Sequence, residues 1–308
     1  MMTTMAPTSP PRSVQPAPQS GAARFWGAAV PIAAAVLSAV AVVVLWWVFV
    51  TTRSGQLLDD VAALGAAFGR DTLEPLLTPV LTIVSIPFVA AALIAAVALA
   101  VLQRRQSIAV GAVVLLGGAN LTTQLLKAVL PRPDLDVTYA LGNSLPSGHT
   151  TVAASVAATA LLIAPHRLRG VVAVAGAVYA SLTGLGTLVG GWHRPSDVVA
   201  AYLVVAAWYF LVEASRQFRS ATPLPRGYRT APPVNAAAVL GGLGLLSGVV
   251  AVAIGAWVLA ELPAPGTVIM DPGSAGTTLA YAGGSLAVAA TACLTMGSML
   301  VMRPYERG

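Results

Sequence analysis

The sequence predicts an all-α protein, a polytopic membrane helical bundle of eight spans. Three observations carry that expectation. Of 308 residues, 57% are hydrophobic and only 9% are charged, whereas a water-soluble chain carries about 25% charged residues to coat its surface. The apolar residues fall into eight runs. Each is near the roughly 20 residues that a helix rising about 1.5 Å per residue needs to cross a hydrocarbon layer about 30 Å thick. Finally, basic residues are distributed unevenly between the two sets of loops that those runs define. The same composition excludes a soluble enzyme, a disordered chain and a disulfide-rich fold, since the single cysteine, Cys293, lies inside an apolar run.

In chain order, residues 1–23 are rich in Pro, Ser, Thr and Ala without periodicity, and read as a disordered cytoplasmic tail. The first span, 25–50, is too long for a signal-peptide core and ends on Trp46 and Trp47, side chains that anchor at a membrane interface. Spans two to six follow at 76–102, 107–130, 148–165, 170–191 and 197–215, completing a six-span core over 24–215. Residues 216–234 (RQFRSATPLPRGYRTAPPV) are basic and Pro-rich, and read as a cytoplasmic linker. Spans seven and eight, 235–260 and 277–302, form a two-span C-terminal appendix within 235–302, followed by a cytoplasmic tail at 303–308. Both are rich in Gly and Ala, and Gly244 and Gly248 are spaced for close helix contact. The appendix is expected to pack within the bundle or to meet a membrane partner.

Eight spans place Arg12, Arg24, Arg104, Arg105, Arg167, Arg169, Arg216, Arg219, Arg226, Arg229, Arg303 and Arg307 on one side of the membrane. The other side receives five bases, Arg53, Arg70, Lys127, Arg132 and Arg194, with nine of the eleven acids. Bases accumulate in cytoplasmic loops, so both termini are expected in the cytoplasm. The net charge of +6 is thereby read as a surface facing anionic lipids and not as a nucleic-acid site. The Arg-rich usage, with Lys127 the sole lysine, points to a high-GC bacterial source and a multi-pass plasma-membrane protein.

Chemistry concentrates on the outer side between about 120 and 200. Polar reactive groups near a bilayer are costly and mark function. Lys127-Ala-Val-Leu-Pro-Arg132-Pro133 closes span three, and Arg132 sits on a backbone stiffened by the prolines around it. Pro146-Ser147-Gly148-His149 precedes span four: Ser147 suits an N-cap, Gly148 permits close approach to the backbone, and the helix N-terminus attracts an anion beside His149. Trp192-His193-Arg194-Pro195-Ser196-Asp197 opens span six. Its four-residue spacing lets a carboxylate fix one imidazole nitrogen and leave the other free to attack. No cluster of acids, histidines or cysteines suggests a metal site, and no cofactor is expected.

Together these residues resemble the type-2 phosphatidic acid phosphatase superfamily, which includes lipid phosphate phosphatases and vanadium haloperoxidases. The chain reads as a divergent bacterial membrane member of it, over roughly residues 25–215. The family pattern is Lys with a following Arg-Pro, then Pro-Ser-Gly-His, then Ser-Arg with a later His-x-x-x-Asp. Pro146-Ser147-Gly148-His149 and His193-x-x-x-Asp197 match outright and in order. The resemblance implies metal-independent hydrolysis of phosphate esters through a phosphohistidine. His193 would be the nucleophile, Asp197 its orienting partner and His149 the general acid, with Lys127, Ser147 and Gly148 as phosphate ligands. Two positions depart. Only four residues separate Lys127 from Arg132, where the family has six, and the Ser-Arg pair is replaced by Gly186 and Thr187. Arg132 and Arg194 are the bases that stand near enough in the pattern to bind phosphate instead.

An outer-face site reached between helices suits a membrane lipid whose tail stays in the bilayer while its phosphate enters the pocket. The expected activity is that of an integral membrane phosphatase of lipid phosphates or polyprenyl diphosphates, acting at the extracytoplasmic face. The alternatives are a phosphotransferase that moves the lipid's phosphate to an envelope acceptor, and a catalytically weakened lipid-binding scaffold.

Overall fold

The computed structural model describes residues 21–66, 106–137, 142–219, 234–261 and 273–302, with single positions at 70, 75, 91, 94, 95, 98 and 102. Among the described residues the regular structure is all helical. Six helices are long and apolar enough to cross a membrane, and they coincide with the apolar runs expected at 25–50, 107–130, 170–191, 197–215, 235–260 and 277–302. The run at 76–102 lies outside the described residues apart from five isolated positions, as do most of the N-terminal tail, the linker 216–234 and the C-terminal tail.

Helix α1, Gly21–Leu45, ends in a π-helical turn, Trp46–Val50. There Trp46 Nε1 donates to the carbonyl of Pro131 at 3.1 Å, tying the end of α1 to the loop that carries Arg132. An amphipathic helix that the apolar runs did not reveal follows, α2, Arg53–Gly65, capped by the Thr52 hydroxyl accepting from Gly55 N. Helix α3 is Gln106–Val129, with Lys127 in its last turn. Helix α4, Gly148–Ile163, has only 16 residues, so at about 1.5 Å per residue it falls short of a full bilayer crossing. It begins at the expected Ser147 cap. Pro165 follows it and leads into a 3₁₀ turn, His166–Leu168, at the end of α4 opposite His149. Helices α5, Arg169–Val189, α6, Pro195–Arg219, α7, Val234–Glu261, and α8, Ala275–Met302, complete the bundle.

The core is built from small residues that let helices approach closely, such as Ala112, Ala119, Ala158, Ala173 and Ala201, with Tyr202 and Tyr209 as its largest buried side chains. Each tyrosine hydroxyl finds a carbonyl, Ala180 at 2.7 Å and Met299 at 3.3 Å, as a buried O–H requires. The opposite helix faces are apolar and open: Leu37 and Val43 on α1, Leu121 on α3, Val171 on α5, and Leu246 and Val252 on α7 are all exposed. Contiguous surfaces of this kind are admissible in lipid and not in water, and the chain is a membrane protein.

Helix α6 is central, packing on α1, α3, α4 and α8. Helix α8 is more than an appendix to α7, because it also packs against α2, α5 and α6, and its Val288, Met296 and Met299 belong to the main core. Gly244 meets α8 as its spacing suggested: a Cβ there would lie 2.7 Å from Leu294 Cγ.

Candidate active site

Helix ends position the site. Ser147 is completely buried, and its hydroxyl accepts from Thr150 N at 3.3 Å while its carbonyl accepts from Thr151 N at 3.0 Å. The first four N–H groups of a helix have no partner within it. Of the four here, Ser147 N donates to the Asp197 carbonyl and Thr150 N to the Ser147 hydroxyl, which leaves the Gly148 and His149 amides at the mouth of α4 for an anion. Lys127 reaches the same place from the end of α3. Its Nζ, together with Gln124 Nε2, lies 3.8 Å from where a Gly148 Cβ would stand.

The second half of the site comes from the turn between α5 and α6. Thr187 is wholly buried, turns its hydroxyl to the Gly184 carbonyl at 2.7 Å, and accepts Trp192 N and His193 N on its own carbonyl. It thus shapes the turn and brings no charge to the position where the family pattern has arginine. Gly191 adopts φ +69 in this turn, a left-handed conformation that favours glycine. A Cβ there would also lie 2.5 Å from an Arg70 guanidinium nitrogen, and Arg70 Nε donates to the Val189 carbonyl at 2.8 Å.

Asp197 joins the two halves. Its carbonyl accepts from Ser147 N at 2.8 Å. Its Oδ2 meets His193 Nδ1 at 3.2 Å and accepts from the Ser144 hydroxyl at 2.7 Å and Arg194 N at 3.0 Å. With only 1% of its surface exposed, this carboxylate needs each of those donors. A neutral imidazole that donates from Nδ1 in that pairing keeps the lone pair of Nε2 available. His149 stands opposite, its ring 5.2 Å from that of Trp192 and within electrostatic reach of His193 and Lys127. The expected site residues Lys127, Ser147, Gly148, His149, His193, Arg194 and Asp197 are therefore gathered at one end of the bundle.

Arg132 joins them through a residue that the motifs did not indicate. Asp60 of α2 accepts from Arg194 Nε, and its other oxygen lies 3.8 Å from Arg132 Nη2. The neighbouring Asp59 is buried and receives both the Ser196 amide, at 3.1 Å, and the Ser196 hydroxyl. Gln56, one turn earlier, donates to the Val50 and Pro133 carbonyls at 2.7 and 2.9 Å. A run of polar residues in a short amphipathic segment, on the same side as Lys127, Arg132 and Arg194, was the available signal. Electrostatics differ across the cluster. Burial, with the charge of Asp197, pushes the Asp59 carboxyl up to about 7. Burial and the charge of Arg194 pull Arg132 down. Burial opposes the charge of Arg194 as well, but Asp60, through charge and hydrogen bond, and then Asp197 and Asp59, outweigh it and raise its pKa.

The bundle of apolar helices thus carries histidines and cations together at one end. Residues 108–222, from α3 to just past α6, match the model of the PAP2 superfamily. The match supports phosphoric ester hydrolysis as the general class of activity. Helices α1 and α2 lie outside the matched segment. No curated protein and no solved structure matches the chain.

Proposed function

We propose that this protein hydrolyses the phosphate of a membrane lipid, a lipid phosphate or a polyprenyl diphosphate, at the extracytoplasmic face through a phosphohistidine on His193. The observation that carries the reading is the double role of Asp197, which fixes His193 with its carboxylate and the start of α4 with its carbonyl. One residue thus holds the nucleophile in register with the anion-binding helix end. The outer face is supported by the twelve bases that eight spans would place on the opposite side.

In the proposed reaction Nε2 of His193 attacks phosphorus, forming the N–P bond as the bond to the lipid oxygen breaks. Phosphoryl transfer asks mainly for in-line positioning and neutralised equatorial oxygens. The Gly148 and His149 amides, Lys127 and Arg132 serve those oxygens, and Asp197 stabilises the charge that develops on the His193 ring. Protonated His149 gives its proton to the departing oxygen, the alkoxide of a lipid phosphate or the bridging oxygen of a diphosphate. It then takes one from water, which attacks phosphorus, breaks the N–P bond and releases inorganic phosphate.

The test is a panel of lipid phosphates, including phosphatidic acid and a polyprenyl diphosphate, offered to the purified protein in detergent with a chelator present. Inorganic phosphate release by the wild type, lost in His193→Ala, is the expected result. Equal release by that variant would remove His193 as the nucleophile.

A further inference from the structure

Helix α2 contributes to the site although it precedes the family-matched segment. It is held from two sides. A Cβ on Gly65 would lie 2.0 Å from the Thr277 carbonyl oxygen of α8, and one on Gly284 of α8 would meet Pro195 Cγ at 2.6 Å and Ala62 Cβ at 3.6 Å. Three elements, α2, α8 and the start of α6, are thus wedged together, and the wedge aims Asp60 at two guanidiniums.

The charge balance there is unusual. The Arg132 side chain is 1% exposed and that of Arg194 10%, while the carboxylate between them is 19% exposed. Asp60 bonds Arg194 Nε through one oxygen. Its other oxygen is an ion-pair distance, and no hydrogen bond, from Arg132. Arg132 Nε and Nη2 are buried without a hydrogen-bond partner among the described residues, and such orphaned donors are costly unless something else receives them. Arg194 is fixed further by Nη1 donating to Ser144 Oγ at 3.3 Å, the same hydroxyl that donates to Asp197.

We propose that Asp60 is a positioning residue of the phosphate site: it clamps Arg194 and balances the Arg132–Arg194 pair, so that an incoming phosphate finds both guanidiniums in place. Through a carboxylate on α2 the chain thereby fixes, at Arg194, a cation that it does not have at Thr187. This inference rests on the phosphatase reading above. Two like charges so placed repel one another without a counter-anion. The phosphate supplies that charge once bound, and its oxygens receive the open donors of Arg132.

The experiment compares the full-length wild type with Asp60→Asn and Asp60→Glu, on a lipid phosphate that the wild type hydrolyses, with inorganic phosphate as inhibitor. In Asp60→Asn, kcat falls on the order of 10- to 100-fold, less than the roughly 100- to 1000-fold of deleting a transition-state donor outright. Inorganic phosphate inhibits that variant about 3-fold more tightly or better, because the pocket has gained one positive charge. A merely structural loss would lower kcat without tightening phosphate. Asp60→Glu keeps the charge, so it loses kcat only several-fold and keeps the wild-type inhibition constant. If Asp60→Asn yields no folded protein, Arg194→Gln decides, because it removes the cation that Asp60 holds: inorganic phosphate inhibiting that variant about 3-fold more weakly or worse supports the clamp, and unchanged inhibition overturns it. Active wild type with Asp60→Asn unaltered in both constants overturns the inference only. A wild type inactive on every lipid phosphate removes the phosphatase reading and the clamp together.

Discussion

Replacing Asp59 with Asn changes how the stability of the fold depends on pH. Asp59 is 2% exposed, and its carboxyl is pushed up to about 7 from the ordinary 3.8, first by burial and then by the charge of Asp197. Between those two values the folded protein still holds the proton that the unfolded chain has released. Its stabilising effect is therefore complete below 3.8, declines as pH rises and is gone above about 7. Three units at about 1.36 kcal/mol each give an effect on the order of 4 kcal/mol across that window. Asparagine keeps an oxygen to accept from Ser196 and does not titrate in this range. The apparent melting temperature in one fixed detergent, followed from pH 4 to 8, is the assay. The wild type loses stability towards neutral pH and then levels off, whereas Asp59→Asn lacks this component, so the variant gains on the wild type as pH rises. Parallel profiles would refute the reasoning, since they would mean that Asp59 titrates alike in the folded and unfolded chains.

Two further outcomes follow from the same contacts. Asp197→Asn keeps the shape of the junction but no longer favours the Nδ1–H tautomer of His193, and kcat is expected to fall on the order of 10³- to 10⁴-fold, as in other His–Asp pairs; phosphate release read against the wild type at matched protein folding checks it. Gly65→Ala puts a Cβ 2.0 Å from a backbone oxygen of α8, which costs about 1–3 kcal/mol as the helices separate and moves Asp59 and Asp60 with them. A lowered melting temperature together with reduced kcat is expected, and wild-type values for both would show that α8 does not hold α2.

Much of the fold was legible because lipid imposes a length rule. Runs of about 20 apolar residues have few alternatives to a spanning helix, and the observed α3, α5, α6, α7 and α8 follow the runs to within a few residues at most ends. The same rule hid α2. Its thirteen residues include Arg53, Gln56, Asp59 and Asp60, so it falls below any spanning threshold and reads as a polar loop. The start of α4 and the His193–Asp197 pair were legible because their chemistry is local: a cap at Ser147 and partners four residues apart. Contacts across long stretches of sequence were not. Asp60 and Arg194 lie 134 positions apart, and nothing local to either residue names the other. Glycine content in the last two helices signalled close packing, but not that Gly284 would lie against Pro195 at the mouth of the site.

The most direct measurement on the proposed mechanism is the covalent state of His193 during turnover. Protein mixed with a lipid phosphate and quenched under alkaline denaturing conditions, which preserve a phosphoramidate, is digested and its peptides are mapped by mass spectrometry. The account predicts one added phosphoryl group on His193 in the wild type during turnover, and none in His193→Ala. Phosphate released at the normal rate with His193 never modified, or the phosphoryl group found on another side chain, would contradict it.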